Sequence, residues 1–520
     1  MTPAELVARR RRPIRVLGAT TIAVWCAALF GWYLFLPMLK DDVRSYAIDV
    51  LQAQFGCRAR VDSFDVRFTP RLRVIAYGVH IGDDSSGSLI DIGMADAESS
   101  LVPWHIRSLV VEGFSAHIPT TEIETIGKPV PGLPLTIDDM VANRGQVEIL
   151  PTVGQSAPIA FNIARLHIQN FQPGRPALFS AVVLVSQPLG EIDADGHFGP
   201  WSAQQPSLTP LQGTYRVSGC DLSSLSGLKG ELSSQGRFQG DLKRLEVAGA
   251  LDAAKFGLST GGRQEAAHAN FQMLLDASDG SVAVKHIDGE LQRTSFIASG
   301  KVENVEDERQ RNIDFDLSVG DGRLEDVLPV AVKPERSPIS GDLRLRAKLQ
   351  VSPGDGDILD RLWLDGGFVS RNARFASLDL REELSKLNRK TSRHSKQEAP
   401  SSPIFRMQGR LQLHHSVGNF SNLSIALENA SARLDGTYRL TDQRLDFDGE
   451  LWLPVKLSKS VGGLKALLLK PVDPFFRSKR GGSRIPIKIT GTQSDPHFEL
   501  RLAKKRHGAR SRVARVVFSH

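Results

Sequence analysis

The sequence predicts a mainly β protein held behind one N-terminal transmembrane helix, on three observations. Residues Ile14 to Met38 form an almost continuous apolar run preceded by Arg9 to Arg12. Beyond a short helical stretch, hydrophobicity alternates with period two, the pattern of strands with one apolar and one polar face. Glycines break that alternation at intervals of roughly 8 to 12 residues, as in an antiparallel meander.

The apolar run exceeds the roughly 20 residues needed to cross a hydrocarbon core as a helix. It carries no charge between Val16 and Met38, and Trp32 and Tyr33 sit near its far end as interfacial aromatics. It is too long for the apolar region of a cleaved signal peptide, and no small-x-small cleavage site follows. The arginines hold residues 1–13 in the cytoplasm, which places the chain after Lys40 across the membrane. No second such run occurs, so the expected anchor is single-pass, over 14–38.

Charge and cysteine content narrow the function classes. The formal net charge of +7 is unevenly spread. One basic cluster is topogenic (Arg9–Arg12), a second comprises Arg477, Lys479, Arg480 and Arg484, and a third fills the tail 503–520. That tail ends in Val516, Val517 and Phe518, and either touches anionic headgroups or frays into solvent. Nucleic-acid binding is disfavoured, because no basic-aromatic module is present and the bulk of the chain lies outside the cytoplasm. Cys26 falls in the span, and Cys57 and Cys220 are far apart, so neither a disulfide framework nor a CxxC metal site is expected.

In chain order, the first element after the anchor is a helix. Val43, Tyr46, Ala47, Val50, Leu51 and Phe55 recur at helical spacing, with Asp41 and Asp42 at its start and Gly56 just past its end. Strands follow. Phe64, Val66 and Phe68 alternate with Asp65 and Arg67; Ile313, Phe315, Leu317 and Val319 alternate with polar residues; Leu343, Leu345, Ala347, Leu349 and Val351 do the same. The longest alternation runs from Leu445 through Phe447, Gly449, Leu451, Leu453 and Val455 to Leu457, and Ile485, Ile487 and Ile489 repeat it. Two later stretches read as helices, Leu378–Asn388 and Gly462–Lys470, and residues 391–403 read as a polar linker. The predicted regions are 39–120 (helix, then strands), 121–390 (central β region), 391–403 (linker) and 404–502 (C-terminal β region).

Many apolar strand faces and few helices leave three solutions: two sheets packed face to face, a closed barrel, or a long curved sheet whose apolar face takes lipid. Periodicity alone ranks the packed sandwich first.

Catalytic signals are weak, and the chain reads as non-enzymatic, with no cofactor or metal. Gly257-Leu258-Ser259-Thr260-Gly261 fits G-x-S-x-G, but no α/β alternation surrounds it to build a nucleophile elbow. His414 and His415 are adjacent on an expected strand and so point to opposite faces, with His415 on the apolar one. Asp314/Asp316 and Asp446/Asp448 read as solvated strand faces. No Walker A motif is present to drive directional transport. N-x-S triplets begin at Asn419, Asn422 and Asn429 and matter only in a eukaryotic secretory host.

Several stretches together resemble the AsmA family. At the N-terminal end these are Phe64–Asp83 (FDVRFTPRLRVIAYGVHIGD) and Ala95–Ile118, behind the anchor and helix. At the C-terminal end they are Gly322–Lys333 (GRLEDVLPVAVK), Ser340–Phe375, Leu434–Leu453, and Leu467–Phe498 with its LLLKPVDPFF segment. The resemblance implies an inner-membrane-anchored periplasmic protein of a diderm bacterium. It further implies a long, curved antiparallel β-sheet, open and groove-like, with a few short helices. Larger relatives of the TamB and YhdP type are viewed as bridge-like lipid transfer proteins, which implies phospholipid or another membrane lipid as partner and a role in lipid transport and outer-membrane biogenesis. Another envelope protein is a further implied partner. Under this reading the lipid-contacting strip comprises Leu343, Leu345, Leu349, Leu445, Phe447, Leu451, Leu453, Ile485, Ile487 and Ile489. The rival reading is an assembly factor for outer-membrane proteins that acts through exposed strand edges.

Overall fold

A computed structural model describes residues 43–500 except 70, 84–86, 100–104, 123–135, 152–157, 173, 187, 305–310, 334–336, 355, 376–403, 429 and 454–482. The run 14–38, the stretches Leu378–Asn388 and Gly462–Lys470, the linker 391–403, the PVDPFF segment and the basic tail lie outside the described residues. Among the described residues, no helix is long and apolar enough to cross a membrane.

Helix α1 covers residues 43–55. Gly56 ends it with φ +69° while donating its N–H to Gln52 O at 2.8 Å, the left-handed closure that glycine adopts without a Cβ penalty. Nine strands follow: β1 (Ala59–Thr69), β2 (Arg71–Asp83), β3 (Gly87–Ser99), β4 (His105–Pro119), β5 (Thr136–Leu150), β6 (Ile159–Phe171), β7 (Ala177–Ser186), β8 (Leu189–Phe198) and β9 (Pro210–Asp221). The next seven are β10 (Leu228–Lys229), β11 (Glu231–Asp241), β12 (Arg244–Leu258), β13 (Glu265–Asp276), β14 (Ser281–Leu291), β15 (Thr294–Asn304) and β16 (Arg311–Arg323). Helix α2 (Leu324–Ala331), β17 (Ile339–Ser340), β18 (Asp342–Val351), helix α3 (Ile358–Arg361) and β19 (Leu362–Phe375) come next. The chain continues with β20 (Phe405–His414), β21 (Val417–Leu427), β22 (Ala430–Arg439), β23 (Arg444–Leu453), β24 (Ser483–Thr492) and β25 (Pro496–Leu500).

The chain divides into two compact units. The smaller takes in residues to Glu148, with Asn162–Ala181 and His197–Pro210. In it, β1 to β4 form an antiparallel meander. Its apolar face is covered by α1: Ile48, Leu51 and Phe55 pack on Val61, Ala76, Val79 and Ile81. Trp201 joins them edge-on to Phe55 at 5.8 Å. Arg44 Nη2 ties the helix to Val61 O at 2.7 Å. Cys57 is buried here, and Cys220, in the larger unit, is also buried.

The larger unit is one antiparallel meander running from β11 through β16 and β18 to β25. It is a curled, open half-barrel rather than the packed sandwich that periodicity alone favoured. Among the described residues, the main hydrophobic cluster is built from β17 to β24, with α2 packed on it. A face that curls on itself brings its own side chains together, and α2 covers part of it.

Helix α2 was not expected from sequence. Its apolar residues Leu324, Val327, Leu328 and Ala331 do sit at helical spacing, but the helix has eight residues and contains Pro329, a residue that usually ends helices. The strand expected to run to Leu457 is described as far as Leu453, and the rest lies outside the described residues.

Candidate functional site

Because paired residues in a sheet share a face, the strand register traces lateral rows across the larger unit. One row passes through Gly236, Gly249, Phe271, Ile287, Ala298, Leu317, Ala347, Gly366, Leu411, Phe420, Gly436, Phe447, Ile489 and Phe498. A neighbouring row passes through Phe238, Val247, Met273, Val284, Gly300, Phe315, Leu349, Leu364, Leu413, Gly418, Tyr438, Leu445, Gly491 and Pro496. Neither row contains a charged residue. At about 4.8 Å per strand, such a row extends on the order of 60 Å along the sheet.

The bulges preserve this continuity. Between β13 and β14 the register steps from Gln272↔His286 to Met273↔Val284, leaving Lys285 unpaired. Both Lys285 and His286 are exposed, and Val284 and Ile287 both stay in the apolar rows. Without that extra residue, one side of the bulge would turn its apolar set to water.

Aromatic rings are spaced by glycines. Phe368 pairs with Gly409, and Phe420 and Phe447 both pair with Gly436. The ring centroids of Phe368 and Phe420 are 6.2 Å apart, and those of Phe420 and Phe447 are 5.7 Å apart. These rings belong to β19, β21 and β23, and alternate strands of a flat sheet are about 9.6 Å apart. The rings therefore converge over the intervening glycines, as expected where the sheet curls towards this face.

The opposite face is charged. Arg410 makes two hydrogen bonds to Asp365 (2.7 and 2.5 Å), which hold the Asp365 carboxyl below its usual range. Lys488 Nζ lies 3.2 Å from Asp446 and 3.3 Å from Asp448. Such exposed pairs add little stability, but they keep this face in water.

The ten residues of the sequence-derived strip fall as follows. Leu349 and Leu445 lie in one continuous row, and Phe447 and Ile489 in the other. Leu345 pairs with Phe368 in a third, and Ile487 pairs with Gly449. Leu343 is buried within the main cluster, to which α2 contributes Leu324, Val327 and Leu328. Leu451 pairs with Ile485, which is 1% exposed and so closed to any ligand. Leu453 pairs through its backbone with Ser483. The sequence-derived strip omits Phe368, Leu411, Phe420 and Tyr438: Phe420 lies beside the β20–β21 register shift, and the other three share their strands' alternation with in-phase glycines (Gly366, Gly409 and Gly436), which weaken its apolar signal.

The other motifs fall elsewhere. Ser259 lies exposed in the turn between β12 and β13, not at a strand-to-helix elbow. His415 is not on the apolar face as expected: it is exposed in the β20–β21 turn at φ +48°, its ring 3.8 Å from that of His414. A two-residue hairpin needs positive φ at His415 and Ser416, and that takes His415 out of the strand alternation.

No family model, curated protein or solved structure matches the chain.

Proposed function

We propose that the larger unit binds the acyl chains of a membrane lipid along its uncharged rows, with the headgroup left at the open side of the half-barrel. In this reading the chain is a non-enzymatic, inner-membrane-anchored periplasmic protein of the AsmA type, serving phospholipid transport and outer-membrane biogenesis. The continuity of the two rows across β11 to β25 carries the proposal. A core that only had to hold strands together would not need an apolar path unbroken along the whole sheet.

The physical role of such a path is to replace water. Exposing an acyl chain costs about 0.8 kcal/mol per methylene, so a 16-carbon chain resists leaving a membrane by on the order of 10 kcal/mol. A row of Leu, Ile, Val, Met and Phe removes most of that cost.

The test is native mass spectrometry of the full chain extracted in detergent, with lipid identified after extraction. Phospholipid bound to wild type and lost from a Leu445→Asp/Ile489→Asp double variant with unchanged circular dichroism supports the reading. Absence of lipid from wild type, or its full retention by the folded variant, overturns it.

A further inference from the structure

The charged face of the larger unit carries its charge unevenly. At the rim where β18, β20, β22 and β24 begin, one row on this face passes through Arg406, Ala426, Ser431, Trp452 and Arg484. Arg433 stands two residues along β22 from Ser431, and Arg344 pairs with Val369, whose other partner is Gln408, two residues from Arg406. Strands lie about 4.8 Å apart, so these four arginines share one patch on the order of 30 Å wide. All four are exposed. Arg484 pairs with Glu450 and lies over the Trp452 ring, 5.6 Å from its centroid. Among the described residues, Arg344, Arg406 and Arg433 have no ion pair.

Little nearby charge offsets the patch. The carboxylates in this half of β18 to β24 are Asp342 and Glu450, and Asp342 is occupied by the N–H groups of Arg371 and Asn372. Asp321 and Glu428 border the patch, as do the exposed Arg371 and Arg374. Two stretches of chain leave and rejoin the sheet at this rim, and by sequence they add positive charge. Residues 376–403 hold six Lys or Arg against four Asp or Glu, and 454–482 hold seven against one. At the opposite rim the turns carry Asp357, Asp360, Asp442 and Asp495, and Arg439 and Arg444 are both paired with Asp442. One rim is therefore basic and the other is not.

The basic rim also exposes two large apolar side chains, Trp452 at 48% and Ile404, just before β20, at 50%. A free anion would engage the arginines alone. An acidic protein would need a matching apolar pocket for the indole and the isoleucine. A bilayer surface takes both kinds of group without one: phosphates accept from guanidinium forks, and an indole rests at headgroup depth. We propose that this rim docks on an anionic phospholipid bilayer, with Arg344, Arg406 and Arg433 on phosphates and Trp452 among the headgroups. The patch lies on the opposite face from the uncharged rows, so the proposal stands or falls separately from acyl-chain binding.

In the experiment, the full chain is held in phosphatidylcholine nanodiscs and floated with vesicles of brominated phosphatidylcholine, with or without phosphatidylglycerol. Wild type is expected to bind the phosphatidylglycerol vesicles at least about tenfold more tightly than the neutral ones, and to lose that preference in high salt. Arg406→Glu/Arg433→Glu is expected to weaken this binding at least about tenfold with unchanged circular dichroism. Arg439→Glu/Arg444→Glu, at the other rim, is expected to leave it unchanged. Bromine quenches an indole on contact, so docking should quench a fluorescence component that is missing from Trp452→Phe. Equal binding to both kinds of vesicle overturns the proposal. Undiminished binding by the folded Arg406→Glu/Arg433→Glu variant does so too, by assigning the attraction to another basic segment. Failure to bind phosphatidylglycerol vesicles at all also overturns it and leaves an acidic protein as the occupant to seek. Identical quenching in wild type and Trp452→Phe removes this rim from the bilayer.

Discussion

Phe447 lies directly against Gly436, its partner across the β22–β23 ladder: a β-carbon on Gly436 would sit 2.5 Å from Phe447 Cα and 2.7 Å from Cδ1. The glycine leaves the space that the ring occupies, and Phe420 fills the other side of the same position. Gly436→Val is therefore expected to destabilise the larger unit by about 1–3 kcal/mol through overpacking, read as a lower urea midpoint. Gly320, which has no atom within 4 Å of an added β-carbon, provides the control: Gly320→Ala should leave the midpoint almost unchanged.

Asp326 anchors α2. Its carboxylate is buried and accepts from Arg293 N (3.2 Å), Arg293 Nη2 (3.1 Å) and Thr294 Oγ1 (3.2 Å). Asp326→Ala leaves those donors without their acceptor, and an expected loss of about 2 kcal/mol follows. Arg293→Ala should cost less, because the guanidinium is mostly exposed and contributes through a screened pair. Equal losses in the two variants, measured by chemical denaturation, would show that the guanidinium dominates the site.

How much of this was legible in sequence follows from which residues carry a periodic signal. The strands around Leu345, Leu349, Phe447 and Ile489 announce themselves by strict alternation, and α1 by its helical spacing and terminal glycine. The rows do not, because register between strands is set by turns and bulges: Phe420 reaches Gly436 only because the β20–β21 bulge repositions it. Whether a face is open or covered is a tertiary property, invisible to periodicity, and this is why a packed sandwich ranked ahead of a curled sheet. Helix α2 was hidden by Pro329, and α3 by its length of four residues.

Acid should loosen the charged face first. The Asp365 carboxyl is held below its usual range chiefly by the hydrogen bonds from Arg410, and that of Asp96 by those from Arg73. A carboxylate with a lowered folded-state pKa adds stability that is present above its unfolded value, near 3.9, and is lost as pH falls through the folded value. Arg410→Gln is thus expected to lower stability slightly at pH 7, where the pair contributes in full, and the difference from wild type should shrink as pH falls below about 3.9. A difference between wild type and variant that persists undiminished in strong acid would show that the pair does not act through the Asp365 carboxylate.

Tyr438 provides a probe at the alkaline end, inside the apolar row itself. Its ring lies between Gly418 and Leu445, and its hydroxyl donates to Gln493 Oε1 at 2.6 Å. Burial, aided by the negative charge of Asp442, pushes its pKa up to about 12. A phenol with a raised folded-state pKa binds its proton more tightly in the native state. The stability this adds is fully present below the unfolded value, near 10, and is lost as pH rises through the folded value. The ultraviolet difference titration of wild type minus Tyr438→Phe should therefore show a single phenolate transition near pH 12 in folded protein. It should move towards 10 in denaturant, where the row no longer exists. A midpoint near 10 in the native chain would place the ring in water, and the apolar row could not then be continuous through β22.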